Sequence, residues 1–380
     1  MNVNGTTSSL LAYRLTGSAA ILGIVALASA IPTLLLSLMG GVIADRMSKK
    51  FIIMIGQGIE LLMKLGVLLA LIFGYLSREN SGSWWILIAV AAIQGTVMGL
   101  IQPARQSIIP QLVGKEQLMN AISLSSMTQN ALRLFAPALT GFLIEAFNFA
   151  PAFGIMVGLY FLSIIFMIFV PNVRASITSS SRNILINIKE GLQYVKQEIP
   201  ILLIMIHTFA VACLVLPYIQ LMPVFTEDIL KVGARGLGIL MSASGIGALT
   251  VSVIISSLPN KKRGMILLIS TIFMALALGG FSFSRSWTLS MAMIILVSAG
   301  STMGSILSNT LVQSYVNSEY RGRVMSLYMM VLGMMGIGTF VAGILADSIG
   351  APWTLGGFAM VIIFLSVLML VFFPKLRKLD

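Results

Sequence analysis

The 380-residue chain contains one cysteine, one histidine and little charge: only 9% of its residues are Asp, Glu, Lys or Arg, against about 25% in soluble domains. The lone Cys213 excludes a disulfide framework, and with the lone His207 it leaves no Cys/His set to hold a metal. Both lie in an apolar run and read as packing residues. There is no Walker loop, no His-Glu-x-x-His helix, no nucleophile elbow and no Asp-rich transferase motif. The chain is therefore not read as an enzyme, no cofactor is expected, and direct ATP drive is disfavoured.

Hydrophobic residues make up 58% of the chain, and apolar runs of about 20 or more recur from end to end, each able to cross a hydrocarbon core of about 30 Å as a helix. They lack the alternation of a barrel strand, so the expectation is an all-α membrane protein. Boundaries set by Gly, Pro and charge place spans at about 18–44, 50–76, 84–110, 118–147 and 150–171, then at about 200–229, 235–258, 264–284, 287–315, 321–349 and 353–374. The opening MNVNGTTSSLLAYRLTGS is too polar and short for a span and lacks the features of a signal peptide. It reads as the second half of a first helix. The layout is then eleven full spans plus a stub, with a first bundle over 1–171, a linker over 172–199 and a second bundle over 200–380. Within the linker, Ile184, Ile188, Leu192 and Val195 recur at helical spacing, which predicts an amphipathic helix on the membrane surface.

A net charge of +12 raises nucleic acid as a partner, but its distribution argues otherwise. Seventeen of the 24 basic residues fall in alternate loops, at 45–50, 105–115, 174–196, 261–263, 321–323 and 375–378. The positive-inside rule puts those loops and the C-terminus on the cytoplasmic side of the cell membrane. The expected partners are the lipid bilayer and a small-molecule cargo, with the chain acting as a monomer.

The halves repeat one another in order. Residues 22–31, LGIVALASAI, align without gaps on 237–246, LGILMSASGI, and the same offset carries Asp45-Arg46 onto Asn260-Lys261. NAISL at 120–124 matches RVMSL at 323–327, and GFLIEAFNFAPAF at 141–153 parallels GILADSIGAPWTL at 343–355. Two duplicated six-helix bundles enclose a cleft between them, a layout of parallel-repeat transporters.

The stretch GVIADRMSKK at 41–50 resembles the signature of the major facilitator superfamily between its second and third helices, with Ser48 where glycine is usual and Lys49 where arginine is usual. Gly41 would let another helix approach. Asp45, one turn later, could meet the positive end of that helix. The resemblance implies the major facilitator fold of two six-helix bundles, and a cytoplasmic latch made by Gly41, Asp45 and Arg46 with the start of the eleventh helix, which carries Arg321 and Arg323. Arg46, Lys49 and Lys50 also read as simple positive-inside anchors. PARQSIIPQLV at 103–113 and the segment at 118–141 resemble the drug, macrolide and siderophore efflux branch, which includes enterobactin exporters. APALTG at 136–141 resembles its antiporter motif, with Ala136 where glycine is usual. Pro137 and Gly141 predict a kinked, closely packed helix.

Charges within spans are costly and face a cavity or a partner. Arg133, with Asn130 on the same side, could bind an anionic part of the cargo or join a structural ion pair. Glu60 and Lys64, four residues apart, could neutralise each other, or Glu60 could titrate in proton coupling. Glu145 and Asp347, at matching places in the repeat, read as solvated rim residues. The 25 methionines suit an adaptable pocket or plain packing. The expected function is secondary active efflux of drugs or macrolide-like or siderophore-like molecules by alternating access, driven by the proton gradient. An importer on the same fold and a non-transporting degenerate paralogue are the alternatives.

Overall fold

The computed structural model describes residues 2–46, 48–80, 82–113, 117–171, 184–256, 261–377 and 379; the side chains of 2–4, 38–46, 106, 107, 110, 111, 118, 184–187 and 256 fall outside that description. The first half comprises α1 (Asn2–Thr16), α2 (Ala19–Arg46), α3 (Lys49–Ile72), α4 (Trp85–Leu112), α5 (Leu118–Phe147) and α6 (Phe149–Phe169). A linker helix α7 (Ile184–Gln197) leads to α8 (Ile199–Leu214) and α9 (Tyr218–Val224), which runs into a π-helical turn at Phe225–Ile229. The second half continues with α10 (Gly233–Ser256), α11 (Arg263–Phe283), α12 (Trp287–Tyr315), α13 (Arg321–Gly333), α14 (Met335–Ile349), α15 (Ala351–Phe372) and the short α16 (Pro374–Arg377).

Ten stretches of described helix are long and apolar enough to cross a membrane, with α8 to the π-turn forming one and α13 with α14 another. α5 is 30 residues long but is not among them: Ser, Thr, Asn and Gln crowd its first half and Arg133 follows at its middle. Large apolar side chains such as Phe73, Phe169 and Phe364 point outward, as suits a lipid-facing surface. The breaks in the helices have local causes. Pro217 lies between α8 and α9 and Pro223 inside α9, and each lacks an N–H to donate. Between α5 and α6 the chain turns at Asn148 with φ +66°, and between α14 and α15 at Gly350 with φ +88°. The offset that carries 141–153 onto 343–355 carries Asn148 onto Gly350. The repeat therefore extends to the backbone turn.

Within the first half α2 packs on α4, and α3 on α4 and α6; within the second, α10 and α11 pack on α12, and α11 on α15. Two further seams, α2 against α14 and α5 against α10, join the halves. Both are lined by small residues. A Cβ added to Gly23 would stand 2.8 Å from Phe340 Cα, and one added to Gly141 would stand 3.0 Å from Gly238 Cα. Membrane helices without side chains at the contact gain close van der Waals packing that lipid cannot supply.

The seams cover one end of the molecule. Along α2 the close contacts run from Ala19 to Leu34, and along α5 from Arg133 to Glu145. From Met119 to Phe135, α5 is exposed almost all round. The halves are thus shut at one end, here the closed end, and parted toward the basic end, which carries most of the lysine and arginine loops.

Overpacking a closely packed contact costs about 1–3 kcal/mol. Gly238→Leu is therefore expected to part α5 from α10 and to lower the thermal midpoint. With Cys213→Ser as background, a cysteine pair at Ala138 and Ser242 should crosslink readily in the parent and at least several-fold less in Gly238→Leu; equal crosslinking would refute the seam.

Candidate functional site

At the closed end, each seam finishes in a carboxylate that binds the first turn of the neighbouring helix. Asp347, near the end of α14, accepts hydrogen bonds from the backbone N–H of Ala19 at 2.7 Å and of Ala20 at 3.1 Å, and from the Ser18 hydroxyl at 2.5 Å. Glu145, near the end of α5, accepts from the backbone N–H of Ala234 in α10 at 3.1 Å. The first N–H groups of a helix have no intrahelical partner, and the helix dipole favours negative charge there. The offset that aligns 22–31 on 237–246 carries Ala19 onto Ala234, so both partners of the first contact repeat in the second. Glu145 and Asp347 are both exposed, as the rim reading expects, and each in addition caps a helix of the opposite half. The signal was in the sequence as glycine one turn before the carboxylate. Gly141 precedes Glu145 and Gly343 precedes Asp347, in the same spacing as Gly41 and Asp45.

Pro137 and Gly141 take part in the α5–α10 seam. Proline disrupts the hydrogen bonding of the turn around it, and the N–H of Ala138 is met across the seam by the Ser242 hydroxyl at 3.2 Å. Ser242 was not legible as a seam residue from residue type alone. A third tie at the closed end starts from α1. Arg14 pairs with Glu227 at 2.8 Å, Tyr13 donates to Asp228, Ser9 donates to Gln220, and Arg78 Nε donates to the Arg14 carbonyl at 2.6 Å. The short first helix therefore holds the second half through its π-turn.

At the basic end, Gly41, Asp45 and Arg46 lie within α2, but their side chains fall outside the described residues, as does Asn260. Arg321 is exposed. Arg323 forms an ion pair with Glu190 of α7 at 3.2 Å and lies 5.0 Å over the Tyr320 ring, which stacks on Tyr194. The linker helix packs its Ile188, Tyr194 and Val195 against the second half, while Leu192 remains exposed. Its apolar face is thus used on the protein, largely in place of the membrane surface. Lys50 does more than mark orientation: its ammonium donates to the Ile168 and Val170 carbonyls, both at 2.7 Å, and caps the end of α6.

Glu60 and Lys64 are both buried in α3, at 5% and 0% exposure. Among the described residues they do not form an ion pair within 4 Å. The Glu60 carboxylate takes a hydrogen bond from Tyr160 of α6, while its Oε2 and the Lys64 Nζ have no hydrogen-bond partner. Gln57, one turn earlier, donates to Ser163 of α6 at 2.8 Å. Asn130 and Arg133 are exposed on α5. Buried charged atoms without partners cost several kcal/mol, so the α3–α6 cluster is held there against its own solvation.

Loss of a helix cap costs about 0.5–2 kcal/mol. Asp347→Asn and Glu145→Gln are each expected to shift the balance toward opening at the closed end, by up to about tenfold at 1.4 kcal/mol, and together by more. Spin labels at Tyr75 and Arg285, read by pulsed dipolar spectroscopy, should show a longer distance gaining population; an unchanged distribution in the double variant would count against the caps.

The transmembrane secretion effector model matches residues 3–380. The chain is 25% identical over 335 residues to the staphyloferrin A transporter of Staphylococcus aureus, covering 88% of this chain and 82% of that protein. It is 23% identical over 372 residues to macrolide efflux protein A of Streptococcus pyogenes, covering 96% and 90%. Among solved structures it resembles a nucleoside transporter with a TM-score of 0.76 at 15% identity, covering 98% of this chain and 96% of that one. The two-bundle fold with its duplicated seams is the major facilitator fold, and the chain, a multi-pass membrane transporter and not an enzyme, belongs to the transmembrane secretion effector family of that superfamily.

Proposed function

We propose that this transporter exports small amphipathic molecules of the macrolide or siderophore class from the cytoplasm, driven by inward proton flow. The observation that carries this reading is the one-sided closure: both seams between the halves are shut at the end away from the basic loops. With those loops cytoplasmic, the structure is a state open to the cytoplasm, ready to load cargo there. The kinked Pro137–Gly141 segment in one seam, and relatives named for efflux of macrolides and transport of staphyloferrin A, support export.

The residues divide the work. Loading at Asn130 and Arg133, exposed on the parted stretch of α5, would precede closure of the basic end, where Asp45 meets the start of α13 and competes with Glu190 for the region of Arg323. Opening of the other end requires release of the Asp347 and Glu145 caps. Glu60 supplies proton coupling: its carboxyl is buried, half-partnered and outside a fixed ion pair with Lys64. An isolated ionised carboxylate is disfavoured in such a place, so taking up and giving back a proton changes how strongly α3 holds α6 through Tyr160.

In a transporter-deficient host, expression of the chain should raise resistance to, and efflux of, one or more compounds in a macrolide, dye and siderophore panel. Asp45→Asn is expected to lower that efflux at least tenfold with normal expression, and full efflux would overturn the latch. In proteoliposomes, Glu60→Gln should remove flux driven by an imposed proton gradient while cargo exchange without a gradient persists. Undiminished proton-driven flux would reject the role of Glu60.

A further inference from the structure

In the second half the buried apolar residues fall into two clusters, one toward the closed end and one toward the basic end. Along α11 the change from one to the other falls between Leu268 and Met274, along α12 between Leu307 and Val297, and along α15 between Met369 and Ile362. Buried polar residues occupy these intervals: Ser270 and Thr271 in α11, Ser298 in α12 and Ser366 in α15, with His207 and Thr208 in α8. A cavity of about 100 Å³ opens in the same layer, between α8, α11, α12 and α13.

Two helices break at this layer, and Leu216 and Leu332, beside the breaks, line the cavity. Between α8 and α9, Pro217 has no N–H to give the Cys213 carbonyl four residues earlier, and the Leu216 N–H reaches back five residues to the Val211 carbonyl at 3.2 Å. Between α13 and α14, the Met334 N–H is shared by the Met330 and Val331 carbonyls, both at 3.2 Å. The breaks touch. Cys213 Sγ donates to the Met334 carbonyl at 3.7 Å, and a Cβ added to Gly338 would stand 2.4 Å from Cys213 Cα. Thr208, Ser270 and Thr271 donate to carbonyls three or four residues back in their own helices, a pattern that favours bending. The segments beyond the breaks hold the first half: α9 and the π-turn carry Gln220, Glu227 and Asp228, tied to α1, and α14 carries Asp347, which caps α2.

We infer that the second half is two blocks hinged at this layer, and that the α2–α14 seam and the ties to α1 part by a tilt of the closed-end block on the basic-end block, with Pro217 and Met334 as pivots. Sharp bends in helices concentrate at proline and at disturbed turns, and here two such places lie against each other. A close-packed core resists changes of shape, whereas the cavity leaves room at the level where the blocks must move. The basic-end block, with α7, α8 and α13, keeps its own contacts throughout. The hinge serves import as well as export, so it stands apart from the direction of transport.

The test uses the full chain in lipid nanodiscs, in a Cys213→Ser background, with spin labels read by pulsed dipolar spectroscopy. Gly343→Leu serves as a wedge: an added Cβ there already stands 3.1 Å from Ala20 Cα, so the larger side chain pushes α14 from α2 beyond the break. Labels at Ile349 and Lys375, exposed at opposite ends of the second half, read the tilt. Labels at Ile349 and Arg285 read the closed-end block alone. The wedge is expected to raise a second Ile349–Lys375 distance several-fold in population over the parent and to leave the Ile349–Arg285 distribution as it is. Asp347→Asn, which loosens the same seam without a bulky group, should raise that second distance as well. Added to the wedge, Pro217→Ala, which restores the missing N–H, and Gly304→Leu, which fills the cavity, should each lower its population several-fold. An Ile349–Lys375 distribution unchanged in both Gly343→Leu and Asp347→Asn shows a rigid half and overturns the hinge. So does a second distance undiminished by Pro217→Ala and Gly304→Leu, or an equal change between Ile349 and Arg285, which marks fraying of α14 alone.

Discussion

The closed end depends on a carboxylate reaching the first turn of a helix in the opposite half. Asp347 and Glu145 stand at the C-terminal ends of their own helices, where the dipole disfavours them, and at the N-terminal ends of antiparallel neighbours, where it favours them. Each cap therefore has value only while the halves are together. Its strength also suits a moving part. Shifting a two-state equilibrium from 1:99 to 99:1 takes about 5.5 kcal/mol, and a cap contributes about 0.5–2 kcal/mol. Two caps bias the closure strongly without making it permanent.

The caps need the small residues beneath them. Glu145 can reach Ala234 because Gly141 and Gly238 allow α5 and α10 to meet at backbone distance, and Asp347 reaches Ala19 and Ala20 beside Gly343, whose added Cβ would stand 3.1 Å from Ala20 Cα. Pro137 serves the same seam in another way, since the disturbed turn around it presents the Ala138 N–H to Ser242. Packing and polar contact are in this sense one device. Hydroxyls and carboxylates fill backbone groups that lipid would leave unpaired, and the glycines bring those groups within reach.

Much of this architecture was legible in the chain itself. Apolar runs and their charged boundaries foreshadow the spans, and the offset between the halves anticipates the matched turns at Asn148 and Gly350 as well as the matched caps. What stayed hidden were partners brought together by distance in space. Residue type could not show that Glu145 faces Ala234, because a carboxylate at a helix end is equally compatible with water. The same limit made Glu60 and Lys64 look like a self-contained i,i+4 pair, whereas Glu60 turns to Tyr160 on α6. It also assigned the apolar face of α7 to lipid, although Ile188 and Val195 face the second half. Periodicity reveals that a face is apolar; it does not reveal what covers it.

The repeat leaves one corner unlike the rest. Carboxylates follow glycine by one turn near the ends of α2, α5 and α14, but the place in the second half that corresponds to Gly41 and Asp45 holds Ser256 and Asn260. On the proposed cycle the closed end is thus secured by two carboxylates and the basic end by one. The closed end gains further from α1, where Arg14 and Tyr13 bind Glu227 and Asp228, while at the basic end Glu190 already occupies Arg323. Duplicated halves with unequal latches favour one resting state, the one open to the basic loops. On the proposed cycle the cargo must then supply the difference when the loaded carrier turns, and it can do so only by binding more tightly to the state with the basic end shut.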